Sequence, residues 1–392
     1  MLRNEYDAKL VLEDGRVFRG RRFGTRVVAA GEVVFNTSMS GYQEILTDPS
    51  YSGQLVVMTS PQIGNYGIAR DDDESRQLFL GALIVKESSR IASNWRSVET
   101  LNEYLIRHGV PGLEGLDTRA LVRHLRSRGA MRGVIGDIST STEDLTGRAR
   151  RHPSMVGCDL ASGVSQNQTF EWSQGITSPG RLSTQQNLFA PNEPPSLHVV
   201  VYDYGVKWNI LRCLVEEGCR VTVVPATASA DEVLRLSPDG VLLSNGPGDP
   251  DPLDYAVGNI RALLGRVPVG GICLGHQLLA IAAGGKTYKM KFGHRGGNHP
   301  VIDKHTGRVQ ITSHNHGFSV DADSLPARSV DITHINLNDQ TVEGLALRDV
   351  PAMAVQFHPE ASPGPHDARS FFLQYVDLMH QWRARSLNAG KK

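Results

Sequence analysis

Cys273 stands in a sequence context that could make its thiol a nucleophile. The apolar residues 267–269 lead into the run Gly-Gly-Ile-Cys-Leu-Gly, which a helical pattern follows. Glycines on both sides allow the sharp bend that joins a strand to a closely packed helix. A thiol at a helix N-terminus lies near free N–H groups and the positive end of the dipole, which favours the thiolate. Because an unperturbed thiol, with a pKa of about 8.5, is only slightly ionised at neutral pH, this cysteine also needs a nearby base.

His358 is our candidate for that base. It follows the apolar stretch 352–357, which is typical of a buried strand, and Pro359 keeps the backbone before it extended. Side chains two residues apart in an extended chain point to the same side, so Glu360 can lie beside His358. A carboxylate there orients the imidazole and stabilises its protonated form. We predict that Cys273 is the nucleophile, His358 the base and Glu360 the residue that orients the base.

Each of these patterns also has a purely structural interpretation. A cysteine after an apolar strand is often just a small buried side chain, and His-Pro-Glu can simply end a strand. What favours chemistry is that the glycine-flanked cysteine occurs together with a carboxylate in register with a histidine.

A second glycine-rich turn, Gly-Pro-Gly-Asp-Pro at 246–250, follows the apolar run 241–243. Taken alone, the pattern predicts a tight turn. If it lies beside Cys273, its N–H groups can stabilise an oxyanion together with the N–H of Leu274. We therefore predict Gly246 and Leu274 as the oxyanion donors.

The elements that must position these groups alternate between strands and helices in residues 197–386. Continuous apolar runs at 199–202, 221–224 and 241–243 are separated by helical patterns. Strands that are apolar throughout are typical of a parallel sheet covered on both faces, and such sheets bind ligands at the carboxyl ends of their strands. We predict an α/β domain with an open, mostly parallel sheet and helices on both faces.

The chain of 392 residues is too long for one ordinary domain. Residues 1–155 combine short strands with helical patterns near 98–108 and 118–128, which predicts a smaller mixed α+β domain. From about residue 162 the chain becomes rich in Ser, Gln, Asn, Pro and Gly, and we place a linker at 156–196.

The composition argues against several classes of partner. Basic and acidic residues number 41 each, so no excess charge favours nucleic acid or a charged membrane surface. Residues 1–7 are charged and lack the apolar core of a signal peptide, and no apolar run approaches the roughly 20 residues that span a bilayer. The four cysteines have neither metal-ligand nor disulfide-framework spacing. We expect a reduced, cytoplasmic protein.

Two further patterns suggest sites that we do not predict. Residues 280–287 fit a relaxed phosphate-loop pattern, but their glycines follow a helix rather than precede one, so we interpret them as its C-terminal cap. His314 and His316 have His294, His299 and His305 near them in sequence, yet no cysteine or carboxylate completes a ligand set. We predict a hydrogen-bonded loop there and no metal.

The residues discussed so far resemble those of the small, glutaminase subunit of carbamoyl-phosphate synthase, a triad-type (class I) glutamine amidotransferase. In the second half the resemblance rests on segments 244–250, 271–277, 291–300 and 358–365. In the first half it rests on 31–37, 41–51 and 117–119. The amidotransferase motifs fit many enzymes, whereas the N-terminal segments are specific to this subunit.

The resemblance implies a reaction and a set of contacts. Cys273 would attack the side-chain amide of L-glutamine, release ammonia and form a γ-glutamyl thioester that water hydrolyses. His358 would move the protons. The positions that match glutamine-holding residues of the family are Ser50, Gly246, Gly248, Leu274, Gln277, Asn315, Gly317 and Phe318. His314 departs from the family, which more usually has glutamine there.

The resemblance also implies a partner. Ammonia would pass through an internal tunnel to a large synthetase subunit, in a heterodimer or a higher oligomer. That subunit would bind ATP and Mg²⁺ and use bicarbonate to make carbamoyl phosphate for arginine and pyrimidine biosynthesis, so no cofactor is expected in this chain.

Three alternatives stay open at this stage. The chain could be an amidotransferase subunit of the anthranilate or aminodeoxychorismate synthase type, although those chains usually lack the first 150-odd residues. It could be a free-standing cysteine hydrolase acting on γ-glutamyl compounds or peptides. It could also be a regulatory subunit with an inactive site, against which the presence of all three triad residue types argues.

Overall fold

The computed structural model describes residues 6–176 and 197–389. In the first of these ranges the strands are β1 (Ala8–Leu12), β2 (Val17–Gly24), β3 (Ala29–Asn36), β4 (Gln54–Met58), β5 (Gln62–Ile63), β6 (Ala82–Ile84), β7 (Glu87–Ser88), β8 (Pro111–Glu114), β9 (Met131–Asp137) and β10 (Phe170–Trp172). The helices there are α1 (Tyr42–Thr47), α2 (Leu101–Arg107), α3 (Thr118–Arg128), α4 (Thr142–Arg151) and α5 (Ala161–Val164), with a 3₁₀ turn at Pro49–Tyr51.

Seven of the N-terminal strands close into a barrel, in the order β1-β2-β8-β6-β4-β3-β9. The barrel strands bury side chains on both faces: Leu55 and Ile84 pack with α3, whereas Val56 and Leu83 pack with α1 and α2. Closure joins β1 to β9 through pairs such as Leu10 with Ile135. The prediction of mixed α and β elements is confirmed, but no local pattern indicated a closed barrel, because closure joins residues more than a hundred positions apart.

Part of the stretch predicted as a linker has regular structure. It contains the short helix α5 and strand β10, and β10 adds to the edge of the second sheet by pairing antiparallel with residues 221–223. The remainder of that stretch, residues 177–196, lies outside the described residues. The three-part division of the chain stays a prediction.

The second range forms a large sheet with helices. Its strands are β11 (Leu197–Asp203), β12 (Cys219–Pro225), β13 (Gly240–Leu243), β14 (Val269–Ile272), β15 (Thr287–Asp303), β16 (Val309–Val320), β17 (Val330–Asn336), β18 (Val342–Leu347) and β19 (Ala352–Val355). Its helices are α6 (Trp208–Glu216), α7 (Ala230–Arg235), α8 (Asp254–Leu263), α9 (Leu274–Ala282) and α10 (Ser370–Ala389), with a 3₁₀ turn at Ala322–Ser324.

The ten strands of this sheet follow the order β10-β12-β11-β13-β14-β19-β18-β17-β15-β16. From β12 to β19 each neighbouring pair is parallel. From β19 to β16 each pair is antiparallel, as is β10 with β12. The predicted α/β class is confirmed, whereas a mostly parallel sheet describes only the five central strands.

The two faces of the sheet are covered by different helices. Val241 and Val269 pack towards α8 and α9, whereas Val201 and Leu242 pack towards α6 and α10. Because each central strand is buried on both faces, its sequence is apolar throughout, which is the pattern that predicted these strands.

The junction of β14 and α9 depends on a close approach of backbones. A Cβ on Gly275 would collide with the carbonyl oxygen of Leu243 on the adjacent strand. Gly275 donates its N–H to the carbonyl of Ser244 at 3.1 Å, which holds the first turn of α9 against the end of β13. The glycine after Cys273 is therefore required by packing, as the elbow pattern predicted.

The glycines at 284 and 285 cap α9, as predicted. Gly284 has a φ of 98°, and the N–H of Gly285 donates to the carbonyl of Ala280 at 2.9 Å. This is the geometry of a helix C-terminus rather than of a phosphate loop. Within the described residues, no helix has the length and apolar character needed to cross a membrane.

We expect Gly275→Ala to destabilise the chain by about 2 kcal/mol or more, because the added methyl group must displace backbone. The matched control is Gly258→Ala on the exposed side of α8, where a Cβ meets nothing within 4 Å. That change should be neutral or stabilising by up to about 1 kcal/mol. Urea unfolding of the three proteins tests this, and equal stabilities of the two variants would contradict it.

Candidate active site

Cys273 lies at the apex of the strand-to-helix elbow between β14 and α9. Its φ of 55° and ψ of −103° put a residue with a side chain in the left-handed half of conformational space, which costs free energy and is typical of functional sites. The residue is 1% exposed. Its Sγ lies 3.6 Å from Nε2 of Gln356 and 3.8 Å from the carbonyl oxygen of Asn315. The structure thus confirms the predicted elbow.

His358 and Glu360 lie just beyond β19, the strand next to β14. The backbone N–H of His358 donates to the carbonyl of Ser313 at 2.8 Å, which fixes this segment against β16. Nδ1 of His358 lies 2.6 Å from Oε1 of Glu360, so the predicted contact between positions two apart is present. Nε2 of His358 has no hydrogen-bond partner among the described residues. This nitrogen is available to exchange a proton.

The electrostatics favour a protonated imidazole beside an ionised carboxylate. Burial alone would lower the pKa of His358, but the negative charges of Glu360 and Cys273 raise that pKa to about 10. Burial would raise the pKa of Glu360, but the charges of Lys207 and then His358 lower that pKa to about 2.

Lys207 is a buried partner of Glu360 that the sequence did not reveal. It precedes α6 and is 3% exposed. Its Nζ donates to Oε1 of Glu360 at 2.9 Å and to the carbonyl of Ala361 at 2.5 Å. The side chain of Asn209 donates to the carbonyl of Glu360 at 2.5 Å. No periodicity or motif links these positions to a segment 150 residues later.

A narrow cavity opens beside the Cys273 thiol. Most of the predicted glutamine contacts line it: Ser50, Gly246, Gly248, Gln277, Asn315, Gly317 and Phe318. The cavity lining also includes Gln54, Met155, Lys289, Arg295 and His316, for which the sequence gave no site prediction. Leu274 does not line the cavity.

The two predicted oxyanion donors lie on adjacent turns. Leu274 is the first residue of α9, so its N–H has no acceptor within the helix. Gly246 follows β13 and approaches so closely that a Cβ on it would collide with the carbonyl oxygen of Tyr204 and lie 2.8 Å from the Leu274 side chain. The turn after β13 therefore lies beside the elbow, as its position after a parallel strand predicted.

The first range lines part of the cavity with Ser50 of the 3₁₀ turn and Gln54 of barrel strand β4, and Asp48 lies next to Ser50. Asp48 accepts a hydrogen bond from the side chain of Asn315 at 2.8 Å. Asn245 donates from its side chain to Oγ of Ser50 at 3.0 Å. Asp48 also accepts from the backbone N–H of Ser50 at 2.9 Å, so the same carboxylate holds both Ser50 and Asn315 in place. Asp48 and Asn245 were not singled out as site residues, because only the tertiary fold brings them together.

The histidine-rich segment lies in strand β16 and not in the predicted loop. Because residues two apart in a strand share a face, His314 and His316 point to one side and Asn315 to the other. His294, from β15, joins the two histidines, whereas His305 lies apart in an exposed contact with Asp331. Glu343 of β18 lies with these three histidines, so a carboxylate is present in the group although the sequence did not indicate one.

Comparisons with known proteins agree with this geometry. The family model for class I glutamine amidotransferases matches residues 200–378, and the model for the carbamoyl-phosphate synthase small chain matches residues 10–135. The first match gives residues 200–378 their class, that of the class I glutamine amidotransferases.

The family follows from full-length relatives. The carbamoyl phosphate synthase small chain of Syntrophotalea carbinolica is 56% identical over 96% of this chain and 98% of its own length. The small chain of Rhodopirellula baltica is 51% identical over 95% of this chain and 96% of its own length. The chloroplastic small chain of Oryza sativa is 50% identical over 95% of this chain and 82% of its own length. The chain belongs to the carbamoyl-phosphate synthase small chain family, which confirms the resemblance found in the sequence.

Replacing Glu360 by Gln should lower the pKa of His358 from about 10, because the amide can accept the same hydrogen bond without supplying negative charge. The single variant leaves Lys207 buried without its counter-charge, so the double variant Glu360→Gln with Lys207→Met keeps the comparison possible if the single one unfolds. NMR titration of the histidine side chains measures the effect, with the buried and distant His198 as internal control. An unchanged His358 titration in both variants would contradict the assigned cause.

Proposed function

We propose that this chain hydrolyses the side-chain amide of L-glutamine through Cys273, His358 and Glu360. One observation carries the proposal. A thiol at a strained elbow follows the strand next to the one that leads to His358, whose imidazole contacts Glu360, and the cavity beside the thiol is lined by seven of the eight residues predicted to hold glutamine. Nucleophile, base and orienting carboxylate are the parts that acyl transfer from an amide needs.

The first half-reaction forms a thioester. The Cys273 thiolate attacks the amide carbon, and the N–H groups of Leu274 and Gly246 stabilise the oxyanion that develops. The protonated His358 then gives its proton to the leaving nitrogen, and the C–N bond breaks to release ammonia. Glu360 holds the imidazole in position and stabilises it while it is charged.

The second half-reaction restores the enzyme. His358, now neutral, takes a proton from water, and the resulting hydroxide attacks the thioester carbon. The C–S bond breaks, glutamate leaves, and the thiolate and imidazolium are regenerated. Atoms balance: glutamine and water give glutamate and ammonia.

We propose that Ser50, Gly248, Gln277, Asn315, Gly317 and Phe318 hold the substrate. The side chain of Gln277 donates to the carbonyl of Phe318 at 2.9 Å and to Oε1 of Gln356 at 3.0 Å, so these groups form one connected wall. A wall whose groups are fixed by mutual hydrogen bonds loses little entropy on binding, which supports a binding role.

We also propose a large synthetase subunit as partner, because the relatives are named small chains. The partner would take up the ammonia and bind ATP, Mg²⁺ and bicarbonate, and the N-terminal barrel would supply the contact surface. A heterodimer is the simplest assembly. The cytoplasmic location, the tunnel and the absence of a cofactor from this chain stay predictions.

The alternatives weigh less. A subunit of the anthranilate type usually lacks the first 150-odd residues, and here residues 10–135 match the model of the carbamoyl-phosphate family. An inactive scaffold would not need to keep Cys273, His358 and Glu360 buried, since buried charge is costly. A free-standing hydrolase differs from our proposal in its independence from a partner.

Cys273→Ser should abolish glutamine-dependent carbamoyl phosphate synthesis while the complex with the large subunit still uses added ammonia, because only the nucleophile is lost. The control is Cys158→Ser, a partly exposed cysteine whose Sγ donates to the carbonyl of Ser154 at 3.0 Å and which should keep full activity. Glutamine hydrolysis and product formation are measured in parallel. Full glutaminase activity of the Cys273→Ser variant would contradict the proposal.

Asp48→Asn should raise KM for glutamine about tenfold with little change in kcat, because it removes an acceptor that positions Asn315 or Ser50 (about 1.4 kcal/mol for one buried hydrogen bond). Asp14→Asn, on the exposed surface of the barrel, is the matched control and should leave both constants unchanged. Steady-state kinetics separates the two constants. A fall in kcat with an unchanged KM would contradict a role in binding.

A further inference from the structure

Four buried side chains with metal-ligating atoms converge behind the strand that carries Asn315. His294 comes from β15, His314 and His316 from β16, and Glu343 from β18. One ligand atom of each lies within 4.8 Å of those of the others. All four residues are buried, with exposures of 6%, 2%, 5% and 0% in that order. His316 also lines the cavity beside Cys273, whereas His294, His314 and Glu343 do not, and the proposed glutaminase chemistry assigns no role to the group.

The other ring nitrogen of each histidine already has a partner. Nε2 of His294 lies 2.9 Å from Oδ2 of Asp339, Nε2 of His314 lies 2.7 Å from Oγ1 of Thr312, and Nδ1 of His316 lies 2.8 Å from the carbonyl of Phe318. Histidines that ligate metals almost always use their second ring nitrogen in this way, on a carboxylate, carbonyl or similar acceptor.

These partners fix where the ring hydrogens lie. A carbonyl only accepts, so Nδ1 of His316 carries its hydrogen and Nε2 has a lone pair. The Thr312 hydroxyl donates to the carbonyl of His299 at 2.9 Å, so it accepts from Nε2 of His314, whose Nδ1 then has a lone pair. Nδ1 of His314 and Nε2 of His316 face each other at 3.1 Å. Two lone pairs at that distance repel unless a cation lies between them.

Two more unpartnered atoms point to the same place. Oε1 of Glu343 accepts from Asn336, but Oε2 has no hydrogen-bond partner among the described residues. The same holds for Nδ1 of His294. Oε2 of Glu343 lies 3.7 Å from Nδ1 of His314, and Nδ1 of His294 lies 3.6 Å from Oε1. A buried carboxylate oxygen without a partner is costly. A cation bound here would be a partner for all four atoms: Nδ1 of His294, Nδ1 of His314, Nε2 of His316 and Oε2 of Glu343.

We propose that His294, His314, His316 and Glu343 bind a divalent transition-metal ion of the Zn²⁺ class. Tetrahedral Zn²⁺ with bonds of about 2.0–2.1 Å places its ligand atoms about 3.3 Å apart. Three contacts in this cluster measure 3.1, 3.6 and 3.7 Å, and the four ligand atoms all lie within 4.8 Å of one another. Three imidazoles and a carboxylate suit this ion, and the charges of Glu343 and Asp339 offset its own.

The site would be structural, because four protein ligands leave no open position for substrate. Its effect would pass through β16. The histidines at 314 and 316 flank Asn315, whose side chain bonds Asp48 on the opposite face. An ion held behind the strand would fix the wall of the candidate active site from its far side.

The test uses the full chain, dialysed against chelator, reloaded with excess Zn²⁺ or Co²⁺ and freed of unbound metal by gel filtration. We expect one metal ion per chain by elemental analysis, the intense visible absorption of tetrahedral Co²⁺, and a higher thermal midpoint with metal than without. His314→Gln and Glu343→Gln should each lower the metal affinity by on the order of 100-fold or more, and Asp339→Asn by roughly 10–100-fold. His305→Gln, which alters an exposed histidine outside the cluster, is the control and should bind like the wild type.

The wild-type chain keeps the proposal testable if a variant fails to fold. Failure of the wild type to retain stoichiometric metal would overturn the proposal, and a proton shared between His314 and His316 would then explain their contact. An octahedral Co²⁺ spectrum, or equal metal binding by His314→Gln and the wild type, would overturn it as well. None of these measurements depends on glutaminase activity, so the metal site and the proposed function can fail separately.

Discussion

The geometry of the candidate active site depends on how one buried carboxylate is neutralised. Glu360 has no exposure to solvent, and a lone carboxylate in such a place would be strongly disfavoured. Lys207 and His358 both contact its Oε1, at 2.9 and 2.6 Å. The same charge therefore fixes the imidazole and holds the start of α6 against the segment after β19. Loss of this neutralisation would disturb structure and chemistry together, because both use the same oxygen atom.

Sheet topology supplies the rest of the arrangement. Strands β13, β14 and β19 are parallel neighbours, so their carboxyl ends meet at one edge. The turn with Gly246, the elbow with Cys273 and the segment with His358 each follow one of these strands. Residues that are 85 positions apart in the chain are thus brought onto adjacent strands. This explains why the candidate site lies where open α/β sheets generally place their ligands.

Whether the sequence predicted a feature depends on how far apart in the chain the interacting residues are. The elbow, the His358–Glu360 register and the cap of α9 depend on residues a few positions apart, and local patterns predicted them correctly. Other features join segments that are far apart in the sequence: the closure of the barrel, the contact of Lys207 with Glu360 and the contact of Asp48 with Asn315. Composition and periodicity do not indicate such contacts. Glu343 is the clearest example of a residue whose contacts the sequence did not predict. Nothing near it in sequence indicates that a fully buried carboxylate meets three histidines from two other strands.

The cavity beside Cys273 has walls from two bodies, the barrel and the second sheet, since Gln54 lies on β4 and the thiol follows β14. Reaction rates in enzymes fall on the order of 100-fold when reacting groups are misplaced by about 1 Å. Turnover would therefore report on the mutual alignment of these bodies. Anything that presses on the outer surface of the barrel could tune the release of ammonia without touching a single reacting atom.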